Sequence, residues 1–201
     1  MSVLQIFTYV LPLVTVPYLV RVVGVHNYGL IAFSLSLAAL IQIICDYGFN
    51  LSATKEVVSQ RNSAANLSGI NVSVILIKCV LLLAALGLML AIINFTGDIF
   101  KDYWIYFFSL IAAAGNTLLP VWYFQGMEKM KYLLVYGVTS KLAYTCLVFY
   151  FVVEPENYIL VPLLSGVCGL FTSLLAIGYI RSIGHLDLQC FTAAGLKKTD
   201  C

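Results

Sequence analysis

The sequence predicts an all-α integral membrane protein, and three observations carry that prediction. Hydrophobic residues make up 62% of the chain and charged ones only 10%, with a mean hydropathy of +0.98, whereas a soluble domain is about 25% charged. The apolar residues fall into runs of about 20, long enough to cross a hydrocarbon core about 30 Å thick. Those runs lack the strict apolar–polar alternation of a strand, and an open sheet would turn unpaired backbone groups toward lipid. With a net charge of +2, the chain offers no strongly basic surface, so no nucleic-acid partner is expected.

Six runs meet the length criterion: residues 3–20, 28–45, 70–95, 103–126, 132–153 and 158–180. The first has neither a basic lead nor a small-residue cleavage site before Arg21, so it reads as a retained span and not as a signal peptide. Tyr28, Tyr103, Tyr132 and Tyr158 open four of the spans, as rings that settle at headgroup level do. With a cytoplasmic N-terminus, the inside segments hold Lys55, Arg61, Lys129, Lys131, Arg181, Lys197 and Lys198, while the outside loops hold only Arg21 and Lys101. The positive-inside rule therefore places the N-terminus in the cytoplasm. The outside loops also carry Asp98, Asp102, Glu154 and Glu156, which weigh little in that rule.

The first inside connection is "CDYGFNLSATKEVVSQRN", residues 45–62. Tyr47-Gly48 reads as a helix stop, because glycine accepts the left-handed geometry that often ends a helix. Beyond it, Leu51, Val57 and Val58 interleave with Lys55, Glu56 and Arg61. That mixture fits either a short helix lying on the inner membrane surface or a solvated loop whose basic residues fix topology.

Two spans contain a cation. Lys78 and Lys141 each lie eight or nine residues from the predicted inner end of their span, hence about 12 Å deep. A charge at the centre of a spanning helix costs roughly 2.5–3.5 kcal/mol on insertion scales, so each is a candidate functional group, with snorkelling toward the interface as the alternative. Pro12, Pro17 and Pro120 are expected to kink their helices, since each removes a backbone hydrogen bond. Ser165, Gly166, Gly169 and Ser173 put small residues along the sixth span and permit close packing, with a second copy of the chain as one partner for that face. Signals for an enzyme are absent. His26 and His185 are far apart, the six cysteines form no CxxC pair, and no Walker-type glycine-rich loop occurs, so neither a metal nor a cofactor is expected.

Three blocks, "LPLVTVPYLVRVVGVHNYGLIAF" (residues 11–33), "DYGFNLSATKEVV" (46–58) and "PVWYFQGMEKMKY" (120–132), together resemble the O-antigen and polysaccharide flippases. These form the polysaccharide transporter family of the multidrug/oligosaccharidyl-lipid/polysaccharide exporter superfamily. The resemblance covers about residues 1–181 and implies a six-helix N-terminal lobe of a MATE-like transporter fold in the bacterial inner membrane. The function it implies is the flipping of an undecaprenyl-pyrophosphate-linked oligosaccharide, an O-antigen or capsule repeat unit, to the periplasmic leaflet. Family members pair two such lobes. This chain stops after one, and residues 182–201 read as a cytoplasmic tail that does not continue the family pattern, so a truncated chain is expected. The partners implied are the lipid-linked oligosaccharide, membrane lipids, a missing C-terminal lobe or a second copy, and a polysaccharide polymerase.

Such a cargo is anionic, which makes Lys78 and Lys141 candidate substrate-binding residues at similar depth, one cationic belt. Arg21, ending the first span, is either a phosphate clamp or an interface anchor. Asp46 is a candidate gate residue that pairs with Lys55 or Arg61, or else simply the first polar residue after its span. Gln42, Asn116 and Gln125 could bond sugar hydroxyls or act as glue between helices. Trp122 and Tyr123 could stack on sugar rings or anchor at the interface. The alternative functions are half of a related exporter of cationic drugs, which calls for intramembrane carboxylates, and a nontransporting membrane scaffold in polysaccharide assembly.

Overall fold

The computed structural model describes residues 2–46, 48–61, 63–96 and 103–184. Tyr47, Asp98, Lys101, Asp102, His185, Lys197, Lys198 and the tail beyond Gly184 therefore lie outside the described residues. Helix α1, Ser2–Asp46, is 45 residues long and would measure about 67 Å if straight. It is not straight: Gly24 has φ 82° and ψ 161°, a combination essentially confined to glycine. Leu11, Thr15 and Leu19 before Gly24 line one cavity with Tyr28, Ile31 and Leu35 after it, so the chain folds back there into two arms. The arms correspond to the first two predicted spans.

The predicted helix stop falls where expected, with Gly48 in the left-handed conformation at φ 75°. Helix α2, Phe49–Ser59, follows, so the loop reading of this stretch gives way to the helical one. One edge of α2 packs inward. Ala53 and Val57 are buried in a cluster with Leu67, Trp122, Tyr123 and Phe124, while Leu51 and Val58 stay exposed.

Helix α3 covers Ala64–Thr96 and α4 Tyr103–Thr117. The fourth predicted span is interrupted after Thr117 and resumes as the short α5, Val121–Gly126, with Pro120 as its N-cap. Helix α6, Met130–Phe151, leads through a 3₁₀ turn, Pro155–Ile159, into α7, Leu160–Ser182. Among the described residues there is no strand. Among the described residues five helical stretches are long and apolar enough to cross a membrane, and the first, Thr8–Ser59, takes in most of the first arm of α1 and all of the second. Counting the arms separately recovers the six predicted runs. The protein is an all-α multi-pass membrane protein.

Contacts fix the packing order. Thr15 meets Thr145 at 3.4 Å and Tyr18 donates to the Val152 carbonyl at 3.0 Å, so the first arm runs parallel to α6. Helices α4 and α7 are in the closest contact. A Cβ added to Gly166 would sit 2.7 Å from the Ala112 nitrogen, and one on Gly115 would sit 2.7 Å from the Leu170 nitrogen. The Ser173 hydroxyl lies within hydrogen-bond distance of the Gly115 carbonyl (2.6 Å) and of the Gly169 carbonyl in its own helix (2.7 Å). The expected small-residue face is thus real, but α4 of the same chain occupies it. A second copy cannot dock there, which corrects that expectation.

Candidate functional site

The two arms of α1 part from α4, α6 and α7 around a cavity of about 340 Å³. Its walls carry the hydroxyl-bearing residues Thr15, Tyr28, Ser140, Tyr144, Thr145 and Ser165 and the amide of Asn116, interleaved with Leu11, Val16 and Ile31. Lys141 is the one charged side chain among the lining residues. Its Nζ donates to the Thr8 carbonyl at 3.2 Å, and the residue is otherwise exposed. Among the described residues this is its one hydrogen bond, which leaves donors free to face the cavity. An exposed ammonium among hydroxyls and an amide suits an anionic, hydroxyl-rich ligand.

Lys78 has very different surroundings. It is 1% exposed, and its Nζ donates to Asp46 Oδ1 at 2.7 Å, to Asn50 Oδ1 at 3.1 Å and to the Thr117 carbonyl at 3.0 Å. The Trp122 ring centroid lies 4.5 Å away, and the indole N–H donates to Asn71 Oδ1 at 3.1 Å. These contacts satisfy three donors of the ammonium and neutralise its charge. They also cap α4. A helix ends in unpaired carbonyls that favour a cation, and here the Ala114 carbonyl accepts from the Leu118 N–H, the Gly115 carbonyl from Ser173 and the Thr117 carbonyl from Lys78.

The two lysines therefore do not line one wall: Lys78 is not among the cavity's lining residues. Asn116 lines the cavity along with Lys141, and the carbonyl of the next residue, Thr117, holds Lys78. Asp46 pairs with Lys78 and not with Lys55 or Arg61, a correction whose cause is the turn at Gly48, which brings Asp46 and Asn50 over α3. Arg61 pairs instead with Glu128 at 3.2 Å, and Lys55 is exposed. Arg21 is exposed near the Gly24 turn and does not line the cavity.

The prolines also divide. Pro12 lines the cavity, and Pro12 and Pro17 sit within helical backbone; Pro120 marks a true break. Gln42 and Asp46 line a second, open pocket, and Gln125 is half-buried. Neither Trp122 nor Tyr123 is available to stack on a ligand, because both are fully buried. Sequence reasoning missed Asn50, Asn71 and Gly24. Asn71 and Lys78 are seven apart on one face of α3, a spacing that could have marked the polar stripe.

With this geometry in place, the comparison with protein families is decisive: the family described as polysaccharide biosynthesis protein matches residues 1–199. The chain belongs to that family. Two curated relatives, each named "Putative O-antigen transporter", extend the match. The one from Escherichia coli (strain K12) is 31% identical over 186 residues, covering 92% of this chain and 45% of the relative. The one from Shigella dysenteriae is 29% identical over 187 residues, covering 91% of this chain and 46% of the relative. The chain thus spans about half the length of the curated relatives it matches. No solved structure matches it. The cavity and the Lys78 cluster both fall inside the region the family covers.

Proposed function

We propose that residues 1–181 form one lobe of a flippase that carries an undecaprenyl-pyrophosphate-linked oligosaccharide, an O-antigen or capsule repeat unit, across the bacterial inner membrane. The observation that carries this reading is the cavity, where one exposed cation, Lys141, stands among six hydroxyl-bearing residues and an amide. Lys141 attracts the pyrophosphate, and the hydroxyls and Asn116 bond the sugars. Lys78 acts from behind α4, holding the wall in shape. The excess of basic residues inside supports a cytoplasmic N-terminus.

Among the described residues no carboxylate lines the cavity, which disfavours the export of cationic drugs. A scaffold would have no need of an exposed cation such as Lys141 in a polar cavity within the membrane. Alternating access requires two bundles that rock around a shared site, so a second lobe completes the transporter, and a polysaccharide polymerase consumes its product. The test is to express residues 1–201 in a strain lacking its flippase, confirm membrane insertion, and measure surface polysaccharide with and without a co-expressed C-terminal lobe. Polysaccharide should return only with the second lobe. Restoration by the 201-residue chain alone would overturn the two-lobe requirement, and failure of both arms would overturn the flippase reading.

A further inference from the structure

Helices α2 and α5 form a unit that is hinged at every point where the chain enters or leaves it. They are locked together: a Cβ on Gly126 would lie 2.5 Å from a Val57 methyl carbon, and the Thr54 hydroxyl reaches the Trp122 carbonyl at 3.4 Å. Around them the backbone breaks repeatedly. Gly48, at φ 75°, precedes α2, and Gln60 and Ser63 lie outside regular helix after it. Leu118, Leu119 and Pro120 separate α4 from α5, and Glu128, a non-glycine residue at φ 58°, separates α5 from α6. Such element-terminal positions are where rigid pieces swing.

Lys78 spans two of these hinges at once. Asp46 and Asn50 lie on either side of Gly48, while Thr117 and Trp122 lie on either side of the Leu118–Pro120 break, and a single ammonium contacts all four. The packing is also incompletely satisfied at this point, because the fully buried Thr117 hydroxyl has no hydrogen-bond partner among the described residues. Thr117 follows Asn116 in the cavity wall, so movement at this hinge moves the wall.

We propose that the α2–α5 pair is a flap over one end of the bundle, and that the Lys78–Asp46 pair is the polar latch that keeps it shut, together with the packing of Trp122, Tyr123 and Phe124 in a cluster with α3 and α7. When the pair separates, Gly48 and the Leu118–Pro120 break swing together, the flap lifts, and the cavity opens at Asn116 toward the α2–α5 end. The latch is a property of the fold alone; only its use as a transport gate rests on the flippase reading.

Two native buried cysteines report on it. Cys45 adjoins Asp46 and is 1% exposed, whereas Cys168 lies in α7, away from the latch, and is 6% exposed. The experiment uses the full chain in proteoliposomes, retaining either Cys45 or Cys168 as the sole cysteine, and measures the rate of labelling by a small maleimide. The comparison is between the parent and the double variant Asp46→Asn/Lys78→Met, which removes both charges and so leaves no unpaired buried ion. Cys45 should label at least tenfold faster in the double variant, with Cys168 unchanged. An unchanged Cys45 rate overturns the latch, and so does a parallel rise at both cysteines, which would make the pair a general packing element. Neither outcome bears on the cargo.

Discussion

The ammonium of Lys78 and the carboxylate of Asp46 meet at 2.7 Å across 32 residues of sequence, one almost wholly buried and the other 24% exposed. Taking one partner away strands the other in a poorly hydrated place. Lys78→Met alone should lower the unfolding free energy by about 3 kcal/mol, toward the low end for a broken buried pair because Asp46 keeps some contact with solvent. The double variant Asp46→Asn/Lys78→Met should recover most of that loss and fall within roughly 1–2 kcal/mol of the parent, the remainder reflecting the unheld Thr117 carbonyl. Denaturant titration in detergent, followed by circular dichroism, separates these cases. A double variant no better than the single would show that the destabilisation comes from packing and not from charge.

The α4–α7 contact should be the least forgiving part of the lobe. Gly166→Ala places a methyl 2.7 Å from backbone that cannot yield easily, whereas Gly87→Ala meets nothing within 4 Å. The first should cost about 1–3 kcal/mol by overpacking, and the second should be neutral or slightly stabilising, since alanine is the better helix former. The same titration measures both. Equal stability of the two variants would mean that the helices simply separate to admit the methyl.

How much of this was legible in the sequence depends on the range of the interaction. Apolar runs are local, and all six appear as helix near their expected bounds, the fourth broken at Leu118–Pro120. The Gly48 stop was legible because a single residue type favours that geometry. Gly24 was not, for its fold-back sits inside continuous apolar sequence where a plain interfacial turn reads equally well. Nor was the partner of Lys78. Asp46, Asn50 and Thr117 are 28 to 39 residues distant from it, and only the tertiary fold brings them together. Lys141 was identified as a candidate from its depth, but its surroundings, and hence its difference from Lys78, required the arrangement of α1 against α6.

Orientation makes a separate prediction. Ser59 ends α2 and is exposed, while Asn157 lies in the 3₁₀ turn before α7, at the opposite end of the bundle. In a chain with its native cysteines replaced, a cysteine at Ser59 should react with an impermeant maleimide only after the inner membrane is permeabilised. One at Asn157 should react in cells whose inner membrane is intact. The reverse pattern would place the α2–α5 end outside the cell.

The account rests most heavily on Lys141 as the cation that meets the cargo, and the two lysines provide an internal contrast. In a two-lobe version of the protein, surface polysaccharide at matched protein level should fall strongly, by about tenfold, for Lys141→Ala, whose loss of one charge-assisted contact is worth roughly 1.5–3 kcal/mol. It should be largely kept for Lys141→Arg, because an exposed cavity site tolerates a different donor geometry. Lys78→Arg should not be tolerated in the same way, since its cage is filled by a side chain only 1% exposed. Normal surface polysaccharide from Lys141→Ala would contradict the account, leaving the cavity without the charge on which the proposed recognition depends.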